Sequence, residues 1–122
     1  MPNARRAVNK EIKRMVDRIV KRFHPEQIIL FGSHARGQAG PDSDVDLLIV
    51  MPVKGSKREK QVEVRLALHE FGVPKDVIIT RPEEFAWRKE IIGTIEYPAA
   101  HEGRILYAKS RTRRPRRPRM GR

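Results

Sequence analysis

Two aspartates and a Gly-Ser turn are the residues of this chain best suited to chemistry. Asp44 and Asp46 open an apolar run, and an earlier apolar run ends at Gly32 and Ser33. Side chains two residues apart on a strand point to the same face, so both carboxylates would project together. Like charges held side by side raise each other's pKa, and a divalent cation between them relieves that repulsion. The pattern predicts a metal site on a strand.

The turn at Gly32 and Ser33 has the residue types of a phosphate-binding loop. Glycine lets the backbone approach a ligand closely, and amides at the start of a helix point at anions. Ser33 adds a hydroxyl, and we predict a short helical turn after it because serine is a good N-cap residue. Arg36 offers a planar donor fork that suits phosphate, although a solvated helix end would explain it equally well. An ordinary turn is the alternative for Gly32 and Ser33 taken alone.

A third carboxylate follows further along the chain. Asp76 begins the next apolar strand, where its side chain could join Asp44 and Asp46. The alternative is a polar residue that only initiates a strand. Turn chemistry explains Asp44, because Asp42 and Ser43 precede it, but it does not explain Asp46 inside the apolar run. Asp46 is therefore the strongest indication of function.

Hydrophobic periodicity supplies the elements that must position these residues. Apolar residues recur at helical spacing over 8–23, 56–71 and around 91–101, and a further helix is predicted to begin at Pro82. Short apolar runs predict strands at 27–31, 45–51, 77–80 and 105–107. This order predicts an α/β (α+β) fold, a small mixed β-sheet with helices packed on it. Phe85 and Trp87 are interpreted as core residues, and His34 as structural.

Length and cysteine content narrow the classes of protein. From 122 residues we expect one domain, over residues 1–108. The chain has no cysteine, which excludes disulfides and cysteine-based zinc sites. No apolar run reaches the roughly 18 residues of a membrane span, and the first residues lack the apolar stretch of a secretory signal. We therefore expect a soluble, cytoplasmic protein that does not contact membranes.

The net charge of +12 is concentrated at the C-terminal end. The segment from Lys109 to Arg122 holds eight Lys or Arg and no acid, which leaves +4 for residues 1–108. Such a segment repels itself and buries no apolar surface, so we expect a disordered tail. It could contact RNA non-specifically through the phosphate charges, although it lacks aromatic residues for base stacking. A tail that only aids solubility is the alternative.

These residues together resemble a known superfamily. The pattern of Gly-Ser, a spacer, Asp-x-Asp and a third carboxylate is similar to that of the nucleotidyltransferases that include DNA polymerase beta. The matching segments of this chain are 32–37, 43–47 and 75–78. The chain is most similar to the minimal nucleotidyltransferases, short proteins encoded beside a HEPN-type companion. The resemblance covers about residues 8 to 108, and it implies the palm-like fold of that superfamily.

The resemblance also implies a reaction. Asp44, Asp46 and Asp76 would be the catalytic residues and the ligands of two Mg²⁺ ions. The expected substrate is an NTP, ATP in particular, whose monophosphate passes to an acceptor hydroxyl with release of pyrophosphate. In the minimal group the acceptor is a tyrosine of a HEPN-type toxin, so the resemblance implies an antitoxin role.

The same resemblance implies how the nucleotide is held and which alternatives stay open. Gly32 and Ser33 would bind the β- and γ-phosphates, and Arg36 is a further candidate for that role. One alternative is an antitoxin that acts by binding alone, with weak or absent catalysis. Another is an RNA-directed nucleotidyltransferase that uses the basic tail. Because the chain has no obvious acceptor-binding domain, it would need a partner protein or self-association as a homo-oligomer.

Overall fold

The protein folds as one mixed, four-stranded sheet with helices on both faces. The computed structural model describes residues 2–40 and 42–109. The elements of this described part are, in chain order, α1 Pro2–Phe23, β1 Gln27–Phe31, β2 Val45–Val50, α2 Lys57–Ala67, β3 Lys75–Thr80, α3 Pro82–Arg88, α4 Glu96–Glu102 and β4 Arg104–Ala108. The predicted fold class, a small mixed sheet with packed helices, is confirmed.

The strand order is β3-β2-β1-β4. β1 runs antiparallel to both β2 and β4, while β2 and β3 are parallel. A parallel pair needs a crossover connection, and α2 supplies it between β2 and β3. The C-terminal end of β1 and the N-terminal ends of β2 and β3 therefore meet at one end of the sheet.

The main core lies between the sheet and the first two helices. The helical spacing of Ile12, Met15 and Ile19 places them on one stripe of α1, where all three are buried. They pack in one cluster with alternate residues of the strands and with the buried side of α2, including Leu30, Leu47, Ile49, Val64, Val77 and Ile79. α1 and α2 thus bury this face of β1, β2 and β3.

The opposite face is covered only in part. Ala99 of α4 packs there against Ile29 and Leu48, with Phe31 and Ile78 partly buried beside them. Side chains alternate along each strand, so this face also carries the even-numbered residues of β2 and β3. The end of the sheet away from α4 is the part left open.

Several predicted boundaries were wrong. α2 begins after Ser56, whose side chain accepts a hydrogen bond from the amide of Glu59, but it ends at Ala67. Beyond it the chain tightens into i→i+3 turns, such as that from the Phe71 amide to the Leu68 carbonyl. The helix predicted around 91–101 is confined to α4, because Gly93 has a φ of 103° and the chain turns there.

The interpretation of Trp87 as a core residue was also wrong. The side chain lies at the surface of α3 and is 57% exposed, whereas Phe85 packs partly against the smaller core. α3 is seven residues long and buries no residue fully, so one of its two aromatic residues remains outside.

Most of the predicted basic tail, residues 110–122, lies outside the described residues. Its first residue, Lys109, donates its amide to the carbonyl of Glu26 at 2.8 Å, directly after β4. Within the part of the chain that the structure describes, no helix combines the length and hydropathy needed to cross a bilayer.

Candidate active site

β2 carries Asp46 on the partly open face of the sheet, and Asp44 lies immediately before this strand. Val45 and Leu47 are fully buried against α1 and α2, so the alternation of β2 turns Asp46 to the other side. Asp44 precedes the strand by one residue and is exposed. Both predicted carboxylates therefore belong to the end of the sheet that α4 leaves uncovered.

The neighbours of Asp46 in the sheet bring two further predicted residues to it. Asp46 pairs with Phe31 across the antiparallel ladder, and the next residue after Phe31 is Gly32. On the other side, Asp46 stands in register with Asp76 of β3. In-register residues of adjacent strands lie on the same face, so the two carboxylates are neighbours.

Gly32 lies directly beneath the Asp46 carboxylate. A β-carbon built on Gly32 would collide with Oδ2 of Asp46, and the glycine has a φ of 76°, which other residues rarely adopt. Only glycine permits this close approach of the turn to the carboxylate. The structure thus gives Gly32 a definite packing role beside Asp46.

The chain makes the predicted short helical turn around Ser33 and does not continue as a helix. The carbonyl of Gly32 accepts from the amides of Ala35 and Arg36, at 3.1 and 3.2 Å, and the carbonyl of Ser33 accepts from Gln38 at 2.9 Å. Only one of these hydrogen bonds in the described segment, from Arg36 to Gly32, has the i→i+4 spacing of an α-helix. Among the described residues, the amides of Ser33 and His34 donate no backbone hydrogen bond, so they are available to an anion.

His34 ties this turn to the loop before Asp44. A ring nitrogen, Nε2, lies 3.1 Å from the carbonyl oxygen of Ser43. The Ser43 hydroxyl in turn accepts a hydrogen bond from the amide of Gly40 at 2.9 Å. These contacts give His34 a structural role, as its position in the sequence suggested, and they fix the distance between the Gly-Ser turn and the aspartates.

The electrostatic environment of Asp46 is repulsive. Burial raises the pKa of the Asp46 carboxyl, and the charges of Asp76 and Asp44 raise it further against the weaker opposing effect of His34 and Arg36. Among the described residues, no hydrogen-bond donor satisfies this carboxylate. A half-buried anion with two anionic neighbours is the arrangement that a bound cation would stabilise.

Asp76 is held by a residue that the sequence reasoning missed. Nη2 of Arg65, on α2, lies 2.7 Å from Oδ1 of Asp76, and both side chains are about half exposed, at 50% and 46%. No local pattern indicates this pair, because the two residues are brought together only by the crossover from β2 through α2 to β3. The ion pair offsets only part of the charge of Asp76, which still raises the pKa of Asp46.

Arg36 makes its contacts outside the aspartate cluster. Its Nε donates to Oε1 of Gln38 at 3.2 Å, and Nη1 lies 3.9 Å from Oε1 of Glu102. The guanidinium is close enough to lower the pKa of Asp46 electrostatically, but the side chain is exposed and directed along the turn. A nucleotide would have to draw it away from Glu102.

The donor set suits a hard cation, although it is not gathered into a closed metal site. Carboxylate oxygens are the ligands that Mg²⁺ prefers, and Asp44 and Asp46 supply them from one face. Across residues 2–40 and 42–109, no three His, Asp or Glu side chains lie close enough together to hold an ion as they stand. Asp76, the third predicted ligand, is engaged by Arg65.

A second buried carboxylate on the same sheet face was not anticipated either. Glu96 of α4 accepts hydrogen bonds from the Thr80 hydroxyl, at 2.7 Å, and from Nε of Arg88, at 3.1 Å. Burial raises the pKa of Glu96, but these hydrogen bonds outweigh it and the pKa lies below its ordinary value. Glu96 is thus a satisfied structural group at the far end of the face.

Comparison with known proteins places the chain among similar sequences. The sequence profile of the nucleotidyltransferase domain matches residues 10–100. Two proteins of Methanocaldococcus jannaschii, each named "putative protein adenylyltransferase", are similar to the chain. One is 35% identical over 71 residues, which cover 58% of this chain and 70% of the relative. The other is 33% identical over 103 residues, which cover 80% of this chain and 96% of the relative.

Solved structures share the fold at lower identity. A nucleotidyltransferase structure from Sulfolobus solfataricus, itself described as putative, superposes with a TM-score of 0.57 at 21% identity, covering 88% of this chain and 86% of that chain. A toxin–antitoxin structure with AMP-PNP gives a TM-score of 0.50 at 17% identity, covering 80% and 73%. With its own sequence matched over residues 10–100 and its fold shared by these structures, this chain belongs to the nucleotidyltransferase domain family.

Proposed function

We propose that this protein transfers AMP from ATP to a hydroxyl of a partner protein and releases pyrophosphate. The observation that carries the proposal is the position of Asp46. It is a half-buried carboxylate without a hydrogen-bond donor among the described residues, flanked by Asp44 and Asp76 and lying directly over Gly32. Without a cation this arrangement destabilises the folded chain, and a divalent cation bound between the carboxylates would relieve the repulsion.

Each residue of the cluster has a role in this reaction. Asp44 and Asp46 would hold Mg²⁺, with Asp76 joining them when it leaves Arg65. When bound, Mg²⁺ neutralises the charge of phosphate oxygens and stabilises the attacking and leaving oxygens of an in-line displacement. Ser33 and the unpaired amides of the turn would hold the β- and γ-phosphates.

The bond changes of the transfer are simple. The acceptor oxygen forms a bond to the α-phosphorus of ATP, and the bond from that phosphorus to the pyrophosphate oxygen breaks. The hydroxyl proton passes to Asp76, a carboxylate that already lies at the sheet end beside Asp46. Pyrophosphate leaves with both electrons of the broken bond.

The choice of a protein acceptor rests on the relatives. Both Methanocaldococcus jannaschii proteins are named as protein adenylyltransferases, and one of them is matched over 96% of its length. Two of the structural neighbours are toxin–antitoxin structures, one with AMP-PNP and one a mutant of the pair MntA–HpeT. We therefore propose an antitoxin role, with a tyrosine of a HEPN-type toxin as the acceptor.

A labelling experiment tests the proposal. The protein and the product of its neighbouring gene are incubated with α-labelled ATP and Mg²⁺. Label is expected on the partner protein, and it should be lost in Asp44→Asn and in Asp46→Asn. Asp42→Asn is the matched control, because Asp42 is an exposed loop residue two positions before Asp44. Label on RNA instead of protein would replace the proposal with an RNA-directed transferase.

One observation favours a second candidate, an antitoxin that acts by binding alone. The third carboxylate is occupied by its ion pair with Arg65, which competes with the binding of a metal ion by Asp76. Under that reading the partner protein forms a tight complex that stays unlabelled in the presence of ATP and Mg²⁺. Asp46→Asn would then bind the partner as well as the unaltered protein does.

A further inference from the structure

A basic groove runs between α1 and the edge strand β4, away from the aspartate cluster. It has a volume of about 420 Å³. Its cationic residues are Arg6, Lys10 and Lys13 of α1 and Arg104 of β4, and no acidic residue lines it. All four side chains are exposed. None of them forms a salt bridge with any residue that the structure describes.

The three cations of α1 are neighbours on the helix surface. Arg6, Lys10 and Lys13 follow each other at spacings of four and three, so they share one face, where like charges destabilise a helix. On the side of α1 that meets α2, two charged side chains have hydrogen-bond partners. Arg18 binds Glu70 at 2.8 Å, and Glu11 accepts a hydrogen bond from the amide of Val73 at 3.2 Å. The helix thus leaves its charges unpaired on the groove side.

The floor of the groove is aliphatic. Ile12, Leu30, Ile105 and Leu106 line it, and Ile105 is 60% exposed on an edge strand. No aromatic residue is present for stacking on a nucleic-acid base, which is how single-stranded nucleic acid is usually held. An aliphatic floor with a cationic rim complements a peptide in which aliphatic side chains alternate with carboxylates.

A second copy of this chain would fit the groove poorly, because its own groove is positively charged. It would bring four further cations against the four already present, and like charges across an interface oppose association.

The position of the groove relative to the aspartates follows from the pairing of β4 with β1. Arg104 pairs with Leu30 of β1, two residues before Gly32, so the groove lies near the same end of the sheet as the aspartates, on the opposite face.

We propose that this groove docks the acceptor protein through an acidic, aliphatic segment of that partner. The identity of the partner as the acceptor rests on the proposed function; the groove's preference for such a segment does not. Docking there would place the partner near the Gly-Ser turn. The groove would hold the acceptor without contacting the nucleotide.

The test is a binding titration with the full chain. A fluorescent peptide of alternating Glu and Leu is titrated with the protein, without nucleotide or metal, and its anisotropy is measured. The charge reversals Lys10→Glu and Arg104→Glu together are expected to raise Kd about tenfold or more, because two attractive contacts become repulsive. The control is Lys54→Glu with Arg58→Glu, two exposed residues far from the groove in the sequence. Thermal melts show whether each variant folds.

Each outcome decides between alternatives. Equal loss of binding in the groove and control variants would assign the peptide to overall charge, including the basic segment from Lys109, and would overturn the groove. Binding of a uridine-rich RNA oligonucleotide that competes fully with the peptide would also overturn it. So would loss of self-association in the groove variant, measured by sedimentation.

The result is separable from that of the labelling experiment. If the peptide binds the groove but no protein is labelled by α-labelled ATP, the groove stands and the proposed reaction fails. If the partner is labelled while the groove variant binds peptide and labels the partner as well as the unaltered protein does, the reaction stands and the groove fails.

Discussion

Two acidic side chains on one face of the sheet have opposite environments. Glu96, at the end covered by α4, is buried and receives hydrogen bonds from Thr80 and Arg88. Asp46, at the open end, is half-buried beside Asp44 and Asp76. Accordingly the pKa of Glu96 lies below its ordinary value and that of Asp46 lies above it.

The difference shows which carboxylate the fold uses for stability. A lowered pKa means that Glu96 stabilises the fold above its unfolded-state pKa, and that this contribution is lost as the pH falls through the folded pKa. For Asp46, whose pKa is raised, the favourable contribution exists at low pH and is lost as the pH rises through the folded pKa. At neutral pH the first carboxylate stabilises the protein and the second destabilises it.

The largest expected effect comes from Asp46→Asn. Transfer of AMP should fall by about 10³-fold or more, a loss typical of removing one key electrostatic contact. The melting temperature should stay the same or rise, because the repulsion with Asp44 and Asp76 is relieved. Label transfer and thermal unfolding measure the two effects. A clear fall in melting temperature would make Asp46 a structural residue like Glu96.

Gly32→Ala should affect both function and stability. The new β-carbon displaces the Asp46 carboxylate, and a displacement of about 1 Å can cost about 10²-fold in rate. The positive φ adds about 1–2 kcal/mol of strain. Gly37→Ala is the matched control, because Gly37 has a φ of 71° and nothing within 4 Å of its added carbon. Equal loss of transfer in the two variants would show that strain alone is responsible.

Glu96→Gln should lower stability and leave transfer intact, the opposite of the result expected for Asp46→Asn. Losing a hydrogen bond to a charged group costs about 1.5–3 kcal/mol, so the free energy of unfolding should fall by that amount, with transfer retained. The loss should shrink as the pH falls through the folded pKa of Glu96, and urea denaturation at several pH values measures this. Glu83→Gln, at an exposed position of α3, should change little. A loss that does not depend on pH would contradict the assignment.

Arg65→Gln is expected to have the smallest effect on stability. Its ion pair with Asp76 is half exposed, and such pairs contribute about 0.2–1 kcal/mol. Because Asp76 is released, the rise in melting temperature on adding Mg²⁺ should be larger than in the unaltered protein. Arg58→Gln, on the same helix and exposed, is the control. An unchanged or smaller response to Mg²⁺ would remove Asp76 from the metal site.

Much of the fold followed from the sequence because its signals are local. The spacing of Ile12, Met15 and Ile19 predicted α1. The apolar runs predicted β1 with its observed bounds and β2 with an error of one residue at its end. The wrong predictions concern features that depend on tertiary contacts or on a local turn. Trp87 lies at the surface of α3, and the residues around Gly93 turn where a helix was predicted.

The sequence by itself determined that Asp44 and Asp46 share a face beside a glycine turn, because alternation along a strand is a property of the local backbone. Only the tertiary structure decided which carboxylates would receive hydrogen bonds. Arg65 reaches Asp76, and Thr80 reaches Glu96, only after the sheet and its crossover helix have formed. Contacts between residues distant in the chain set the charge around each carboxylate, and no short segment of sequence encodes them.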